Sequence, residues 1–254
     1  MDVTGRNVLI TSGGTAEPID PVRAITNGAS GALGARIADV FLSKPDVDTV
    51  YYVAPRTARL PNDNPKLVWV EVSGTDSLES AIRDICGQVR VDAIVHAMAV
   101  SDYKPRSVTT VGALADALCA HSPAPDNPAA LRQIIQSLPG FDRNHKIRSN
   151  AGDLVIITEP TQKVIALLRG LAPQAVIIGF KLLTDVSHAD LIRAAQGILT
   201  KNDCDYVLAN DSSDIDRTHH IGYLIDRQGH EQRFDTKADI AAALVAATYQ
   251  SMEI

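Results

Sequence analysis

Short apolar runs rich in β-branched residues alternate along the chain with longer segments of helical periodicity, and this rhythm predicts an α/β fold. Three observations carry the prediction. Runs such as Val8–Thr11, Leu154–Ile157 and Ala175–Gly179 are almost continuously apolar, which marks strands covered on both faces. Helix-length segments separate successive runs, as the crossovers between parallel strands require. Glycine-rich turns follow strand ends, where open α/β sheets bind their ligands. The expectation is a Rossmann-like parallel sheet with helices on both faces, a C-terminal hairpin and a flap insertion, within a single domain over 1–254.

Asn7–Thr11 is the first buried strand and opens onto Ser12-Gly13-Gly14-Thr15. Gly31–Leu42 carries Leu33, Ile37, Val40 and Phe41 on one helical face. Thr49–Val53 and Leu67–Val72 are the next strands. Ser77 reads as an N-cap, with Asp76 and Glu79 near the positive end of a helix that runs to about Gln88. Asp92–His96 is the fourth strand. From Val108 to Asn144 the rhythm breaks: Pro123, Pro125, Pro128 and Pro139 surround one short periodic stretch, Ala129–Leu138. This segment, a flap over about 107–150, is expected outside the sheet. The alternation then resumes with a strand at Leu154–Ile157, a helix at Thr161–Leu171, a strand at Ala175–Gly179, a helix at Ala189–Thr200 and a strand at Tyr206–Ala209. Gly222–Asp226 and Glu231–Phe234 flank Arg227-Gln228-Gly229-His230, a hairpin signal, and Lys237–Met252 is a final amphipathic helix.

Composition narrows the function. Of 254 residues, 45% are hydrophobic and 21% charged, ordinary for a globular chain that buries a core. Aromatics make up 4% with one Trp, which argues against a stacking platform for nucleic acid. A net charge of −6 and a pI of about 5.6 argue against sequence-independent binding to phosphate backbones, and leave room for a local anion pocket. Cys86, Cys119 and Cys204 lie far apart without metal spacing and read as small thiols of a reducing compartment. His219 and His220 have no Cys or carboxylate at ligand spacing, so they read as surface histidines and no metal site is expected. The first residues lack the basic-then-apolar pattern of a leader. No stretch approaches the roughly 18 apolar residues of a membrane span. The expected location is the cytoplasm, with neither membrane nor nucleic acid as partner.

The chemistry sits in the loops. Gly13 and Gly14 let the main chain approach a ligand and expose N–H groups. Gly28, Gly31 and Gly34 then lead into the first helix, whose N-terminus favours phosphate. The same spacing invites a rival, the glycine fingerprint of nicotinamide-dependent short-chain reductases. Against it, residues 12–27 intervene between the strand and Gly28, and Tyr51-Tyr52-Val53-Ala54 stands where a ribose-binding acid belongs. No Tyr-x-x-x-Lys pair occurs in the chain.

The segment Val8-Leu9-Ile10-Thr11-Ser12-Gly13-Gly14-Thr15, continuing through Glu17-Pro18-Ile19-Asp20-Pro21-Val22-Arg23 and Ile25-Thr26-Asn27 to Ser30-Gly31 and Gly34, resembles the opening of the phosphopantothenate–cysteine ligase family. So do His96-Ala97-Met98-Ala99-Val100-Ser101-Asp102-Tyr103, Lys146-Ile147-Arg148-Ser149, Gly179-Phe180-Lys181-Leu182 and Ala209-Asn210-Asp211, in the family's order. The resemblance implies a two-step reaction in coenzyme A biosynthesis. The carboxylate of 4′-phosphopantothenate attacks the α-phosphate of CTP or ATP, and the amine of cysteine then attacks the resulting acyl-nucleotidylate.

It also implies roles. Asn27 would be the catalytic Asn that donates to the acyl oxygen, beside its alternative as a turn or capping residue. Lys146 would be the flap lysine that neutralises the triphosphate, beside a solvated surface Lys. Gly13, Gly14, Ser30, Gly31 and Gly34 would form the anion loop. Ala97, Met98 and Asp102 would bind the nucleotide, with a turn cap as the other role for Asp102. Phe180, following a buried strand, would pack on base or ribose or else in the core. Lys201 would contact the nucleotide or simply complement a helix C-terminus, and the second lysine of some members falls near Gly197. Asn210 and Asp211 would begin a loop and meet substrate or a subunit interface.

The chain departs from the pattern in three places. Ala29 stands where the family often has Ser, and the stretch from Asp102 to Lys146 is longer than in many members, with Arg148 and Ser149 in place of further lysines. The implied form is monofunctional, without a preceding flavin-binding decarboxylase domain, and homodimeric. Its cofactors would be CTP, favoured over ATP, and Mg2+ carried by the triphosphate. An inactive nucleotide-binding module is the remaining alternative.

Overall fold

The computed structural model describes residues 5–120, 127–215 and 219–252. In chain order its elements are β1 (Arg6–Thr11), β2 (Ala16–Pro18), β3 (Ala24–Thr26), α1 (Ala32–Leu42), β4 (Val47–Ala54), β5 (Leu67–Glu71), α2 (Thr75–Gln88), β6 (Ala93–His96), β7 (Tyr103–Thr110), α3 (Val111–Ala120), α4 (Pro128–Gln136), β8 (Leu154–Pro160), α5 (Ile165–Leu171), β9 (Val176–Leu183), α6 (His188–Lys201), β10 (Tyr206–Asp211), a 3-10 turn (Ser212–Asp214), β11 (Gly222–Asp226), β12 (Glu231–Phe234) and α7 (Lys237–Met252). Where the sequence suggests one domain carrying a flap, the chain divides into two compact units. Residues 1–15, 27–100 and 163–254 form the first; 16–26 and 101–162 form the second.

In the first unit, eight strands make one sheet in the order β12-β11-β10-β9-β6-β1-β4-β5. The six from β10 to β5 are parallel, and β11 and β12 join antiparallel as the expected hairpin. The near-continuous apolar runs have a direct cause. Successive side chains of a strand point to opposite faces, and here both faces are covered. Val8 and Ile10 of β1, Val95 of β6, Ile178 of β9 and Leu208 of β10 share one core with Ile37 and Phe41 of α1 and Ile240 and Leu244 of α7. Leu9, Ile94, Ile177 and Val207, the residues between, share the other with Leu78 and Ile82 of α2, Leu168 of α5 and Leu191 of α6. The strand order reverses at β1 and β6, which places a crevice beyond their carboxyl ends.

Several boundaries differ from expectation. β9 continues to Leu183 and β10 to Asp211, so Phe180, Asn210 and Asp211 are strand residues; the last pairs of that ladder are Asn210 opposite Leu182 and Asp211 opposite Leu183. The helix expected from Thr161 begins at Ile165. α2 begins before Ser77, with Gly74 at its N-cap and Thr75, buried, as its first residue. The Ser77 hydroxyl instead accepts from Ser73 N at 2.9 Å and donates to Gly74 O at 2.8 Å.

In the second unit, β2 pairs antiparallel with β3, and β7 antiparallel with β8. The Leu154–Ile157 run, expected in the parallel sheet, opens β8 instead. Pro105 and Pro160 lack the N–H that a central strand must donate, and the register slips between Pro105 and Ser107. Such a ribbon suits two strands at a surface, and Ile156 is 37% exposed there. The periodic stretch in the insertion becomes α4, where Asn127 caps Ala129 N at 2.9 Å and Pro128 opens the first turn. Pro123 and Pro125 lie outside the described residues. Among the described residues no helix is long and apolar enough to cross a membrane.

Candidate active site

Beyond the sheet, the chains leaving β1 and β6 stay hydrogen-bonded side by side. Ala97 N donates to Thr11 O at 3.0 Å, Ala99 N to Gly13 O at 2.8 Å, and Thr15 N to Ala99 O at 3.1 Å. Gly14 and Ala99 thus form a parallel bridge past the last strand residues. The close approach explains the glycine. A Cβ on Gly14 would lie 2.2 Å from Asn27 O, a main-chain atom that cannot swing away. Gly13 and Gly31 both have positive φ, 82° and 72°, which side chains disfavour.

Asn27 is held at this junction by main-chain and side-chain bonds. Its N–H donates to Thr15 O at 3.2 Å, and its side-chain Nδ2 donates to Ala99 O at 3.2 Å. The amide is half-buried and oriented by the 97–99 segment, which suits a donor that must meet developing charge. From there Gly28, exposed, and Ser30, exposed, lead to Gly31 at the N-cap of α1. Ser12 locks this turn: its hydroxyl donates to Gly31 O at 3.1 Å. A Cβ on Gly34 would lie 2.2 Å from Ser12 Oγ, so the first turn of α1 can sit against the strand-end loop only with glycine there. Gly13, Gly14, Asn27, Ser30, Gly31, Gly34, Ala97 and Met98 therefore share the carboxyl edge of the sheet. Met98 is buried, its N–H directed to Thr11 Oγ1 at 3.4 Å.

His96 escaped the residue-by-residue expectations. It is buried at the end of β6 and pairs through Nδ1 with Thr11 Oγ1 at 2.8 Å. Burial pushes its pKa down to about 4, so it is neutral near pH 7. The pair ties the last residues of β1 and β6 together beneath the Met98 loop. Its signal in the sequence is a His ending one strand and a Thr ending another, which becomes meaningful only with the Thr11–His96 register.

Four expected residues take other places. Phe180 lies within β9 and packs against the α1–α7 side of the core. Lys201 is exposed on the last turn of α6, which delivers the chain to the start of β10. That is the amino edge of the sheet, so one chain does not bring Lys201 to the loops above. Asn210 Nδ2 donates to Ile221 O at 2.6 Å, anchoring the run into β11. Asp211 receives the Ser213 hydroxyl at 2.6 Å and the N–H groups of Val186 and Ser213 at 2.9 Å and Asp185 at 3.0 Å. Those bonds, the Ser213 hydroxyl foremost, hold its carboxyl well below the ordinary range. Both side chains serve main-chain turns, the alternative noted from sequence.

Asp102 and Lys146 belong to the second unit. Asp102 is exposed at the entry to β7, and its C=O accepts from Thr161 N at 3.0 Å. Lys146 is exposed and lines a cavity of about 600 Å³ with Thr109, Phe141, Ile147 and Arg148. Just before it, Asp142 accepts from Asn144 N at 2.9 Å and pairs with His145 Nδ1 at 2.7 Å, which holds the Asp142 carboxyl below its ordinary value. Among the described residues no group of three or more His, Cys, Asp or Glu could hold a metal ion.

A parallel sheet covered on both faces thus carries a glycine-rich loop and an anchored Asn at its reversal point. The sequence pattern of the family described as "DNA/pantothenate metabolism flavoprotein C-terminal domain" matches residues 3–112 and 139–251, and the chain belongs to that family. The unmatched residues 113–138 cover most of α3 and α4, the segment that the sequence marks as unusually long. The chain is similar to the coenzyme A biosynthesis bifunctional protein CoaBC of Thermococcus kodakarensis, 29% identical over 81% of this chain and 41% of that protein. It thus spans about two-fifths of the length of that relative. A DNA/pantothenate metabolism flavoprotein of Streptococcus pneumoniae has a similar solved structure, with 30% identity and a TM-score of 0.80 over 97% of this chain and 100% of that one. A Cab2 variant solved in complex with phosphopantothenate-cysteine shares the fold, with 19% identity and a TM-score of 0.67 over 97% and 87% of the two chains.

Proposed function

We propose that this chain joins 4′-phosphopantothenate to cysteine at the cost of a nucleoside triphosphate, as a phosphopantothenate–cysteine ligase of coenzyme A biosynthesis. The observation that carries the proposal is the Asn27 amide, anchored on Ala99 O beyond the carboxyl ends of β1 and β6, in a chain of this family. The names of the CoaBC relatives and the ligand of the Cab2 complex support the same substrate class.

A carboxylate is already ionised near pH 7, so the first step needs position and charge stabilisation and no general base. The phosphopantothenate carboxylate bonds to the α-phosphorus, the bond to the bridging oxygen breaks, and pyrophosphate leaves. The Gly13–Gly14 loop and the first turn of α1 supply N–H groups for anionic oxygens, and Lys146 offsets the charge gathering on the departing phosphates. The cysteine amine then attacks the acyl carbon, and the nucleoside monophosphate leaves. Asn27 donates to the acyl oxygen as it gains charge. Ala97, Met98 and Asp102 are proposed on the nucleotide side. The proposal includes CTP in preference to ATP, Mg2+ entering with the triphosphate on phosphate oxygens and water, a homodimer and a cytoplasmic location.

The test is pyrophosphate release from purified protein with phosphopantothenate, cysteine, magnesium and either nucleotide. Release should require phosphopantothenate and run faster with CTP. Asn27→Ala should still release pyrophosphate while losing about 100-fold in amide product, the usual scale for one donor to a developing oxyanion. No release from folded protein with either nucleotide would sink the proposal and favour a non-catalytic binding module.

A further inference from the structure

We infer that Asp20 is a positioning residue for Lys146: with Arg23, its buried carboxylate clamps Ile147 and so fixes where the neighbouring lysine leaves the main chain. The inference rests on the role proposed above for Lys146. It gives a task to the Glu17–Arg23 motif, which carries the family resemblance but had none.

Asp20 is 3% exposed, and both its oxygens are occupied. Oδ1 accepts from Val22 N and Arg23 N, each at 2.9 Å, an ordinary use of Asp to cap its own turn. Turn capping ends there. Oδ2 reaches across to Ile147 N at 3.1 Å and also meets the Arg23 guanidinium at 3.1 Å. That guanidinium in turn donates to Ile147 O. One ion pair thus takes both the N–H and the C=O of Ile147, whose side chain is itself 3% exposed. A second anchor lies upstream, where Arg143 donates to Pro105 O at 2.8 Å and to Pro18 O. The main chain is therefore fixed three residues before Lys146 and one after it, while the lysine stays exposed. All these residues belong to the second unit. A buried carboxylate persists only when its lone pairs are satisfied. Here part of that satisfaction comes from the flap.

The test uses the full chain as wild type, Asp20→Asn, Lys146→Ala and the double variant, with pyrophosphate release and amide exchange over residues 143–149 as readouts. Asp20→Asn retains shape and one carbonyl acceptor but loses the charge. Exchange at the Ile147 amide should accelerate at least about tenfold. The kcat should fall about tenfold, as small misplacements of a catalytic group do, with KM for phosphopantothenate unchanged. In the Lys146→Ala background the same substitution should cost less than about twofold, because the group it aims is gone. Losses that multiply equally in both backgrounds would reduce Asp20 to a structural role and overturn the inference, as would unchanged exchange at Ile147. If Asp20→Asn does not fold, Arg23→Lys replaces it with the same expectations, since it retains charge but loses the forked donor. A wild-type rate from Lys146→Ala would instead sink the role given to Lys146, and the exchange data would still decide the clamp.

Discussion

The strand-end loops of the first unit and the flap segment of the second present their polar groups by different means. Around Asn27 main-chain bonds continue the β1–β6 ladder outward, the side chains of Asn27 and Ser12 add bonds to Ala99 O and Gly31 O, and close approach is secured by glycines. Around Lys146 the bonds run from side chains to main chain, through the carboxylates of Asp20 and Asp142 and the guanidiniums of Arg23 and Arg143. The ladder's main-chain bonds carry no charge, whereas the flap is held by carboxylates that stay ionised until the pH falls below their ordinary range. The difference suits the proposed chemistry, since an oxyanion donor benefits from rigidity and a lysine that meets a triphosphate must admit and release it.

The largest effect is expected where the first frame is broken directly. Gly14→Ala drives a Cβ into Asn27 O, and overpacking against backbone costs about 3 kcal/mol. Thermal unfolding should show that loss and amide product should vanish. An active, equally stable Gly14→Ala protein would show that the loop yields easily and that the two regions do not differ in rigidity.

Next comes pH. His96 and His220, both in the first unit, have pKa values pushed down to about 4, by burial and, for His220, also by the Lys237 charge. A histidine depressed in the folded state takes up its proton in the unfolded chain first. Its contribution is therefore full above the ordinary value near 6.5 and is lost as pH falls towards 4. For buried His96 the loss is about 3 kcal/mol. The Asp20 carboxyl in the second unit sits below its ordinary value of 3.8. Burial would raise it, but the N–H groups of Val22, Ile147 and Arg23 and the Arg23 charge outweigh that. Its contribution persists above 3.8 and fails only at lower pH. Amide exchange at pH 7 and pH 4.5, corrected for intrinsic rates, should show the first unit loosening and residues 143–149 unchanged. The reverse order would break the comparison.

Smaller effects sharpen it. Asp142→Ala removes the turn bonds to Asn144 and His145 but leaves the Asp20 clamp, so amide exchange at Ile147 should rise less than in Asp20→Asn. Arg56→Ala, which removes an exposed pair with Glu71 on the first unit, should leave the thermal midpoint unchanged, because solvent-exposed ion pairs contribute little.

The sheet was legible because parallel strands buried on both faces leave near-continuous apolar runs, and Asn7–Thr11, Asp92–His96 and the Gly222–Phe234 hairpin all appear where those runs and turn residues place them. The same signal misplaced Leu154–Ile157, since an apolar run does not name its partner strand; two prolines decided that. Ser77 looked like a cap because its hydroxyl chemistry is real, but that hydroxyl bonds Ser73 N and Gly74 O from inside a helix that starts at Thr75. Asn210 and Asp211 were visible as polar residues after a strand. Their commitment to Ile221, Asp185, Val186 and Ser213 was not, because those partners come from separate turns.

By itself, then, the sequence determined the two-faced sheet and the glycine loop before the first helix, because periodicity and turn chemistry are local properties of a chain, while its resemblance to the family pointed to Asn27 and Lys146. Tertiary structure decided which candidates meet. It set Lys201 at the amino edge of the sheet, buried His96 against Thr11 and joined Asp20 to a main-chain N–H 127 residues away. Hydrogen bonds between distant segments depend on how strands and hairpins pair, and a pairing leaves no period along the chain from which to read it.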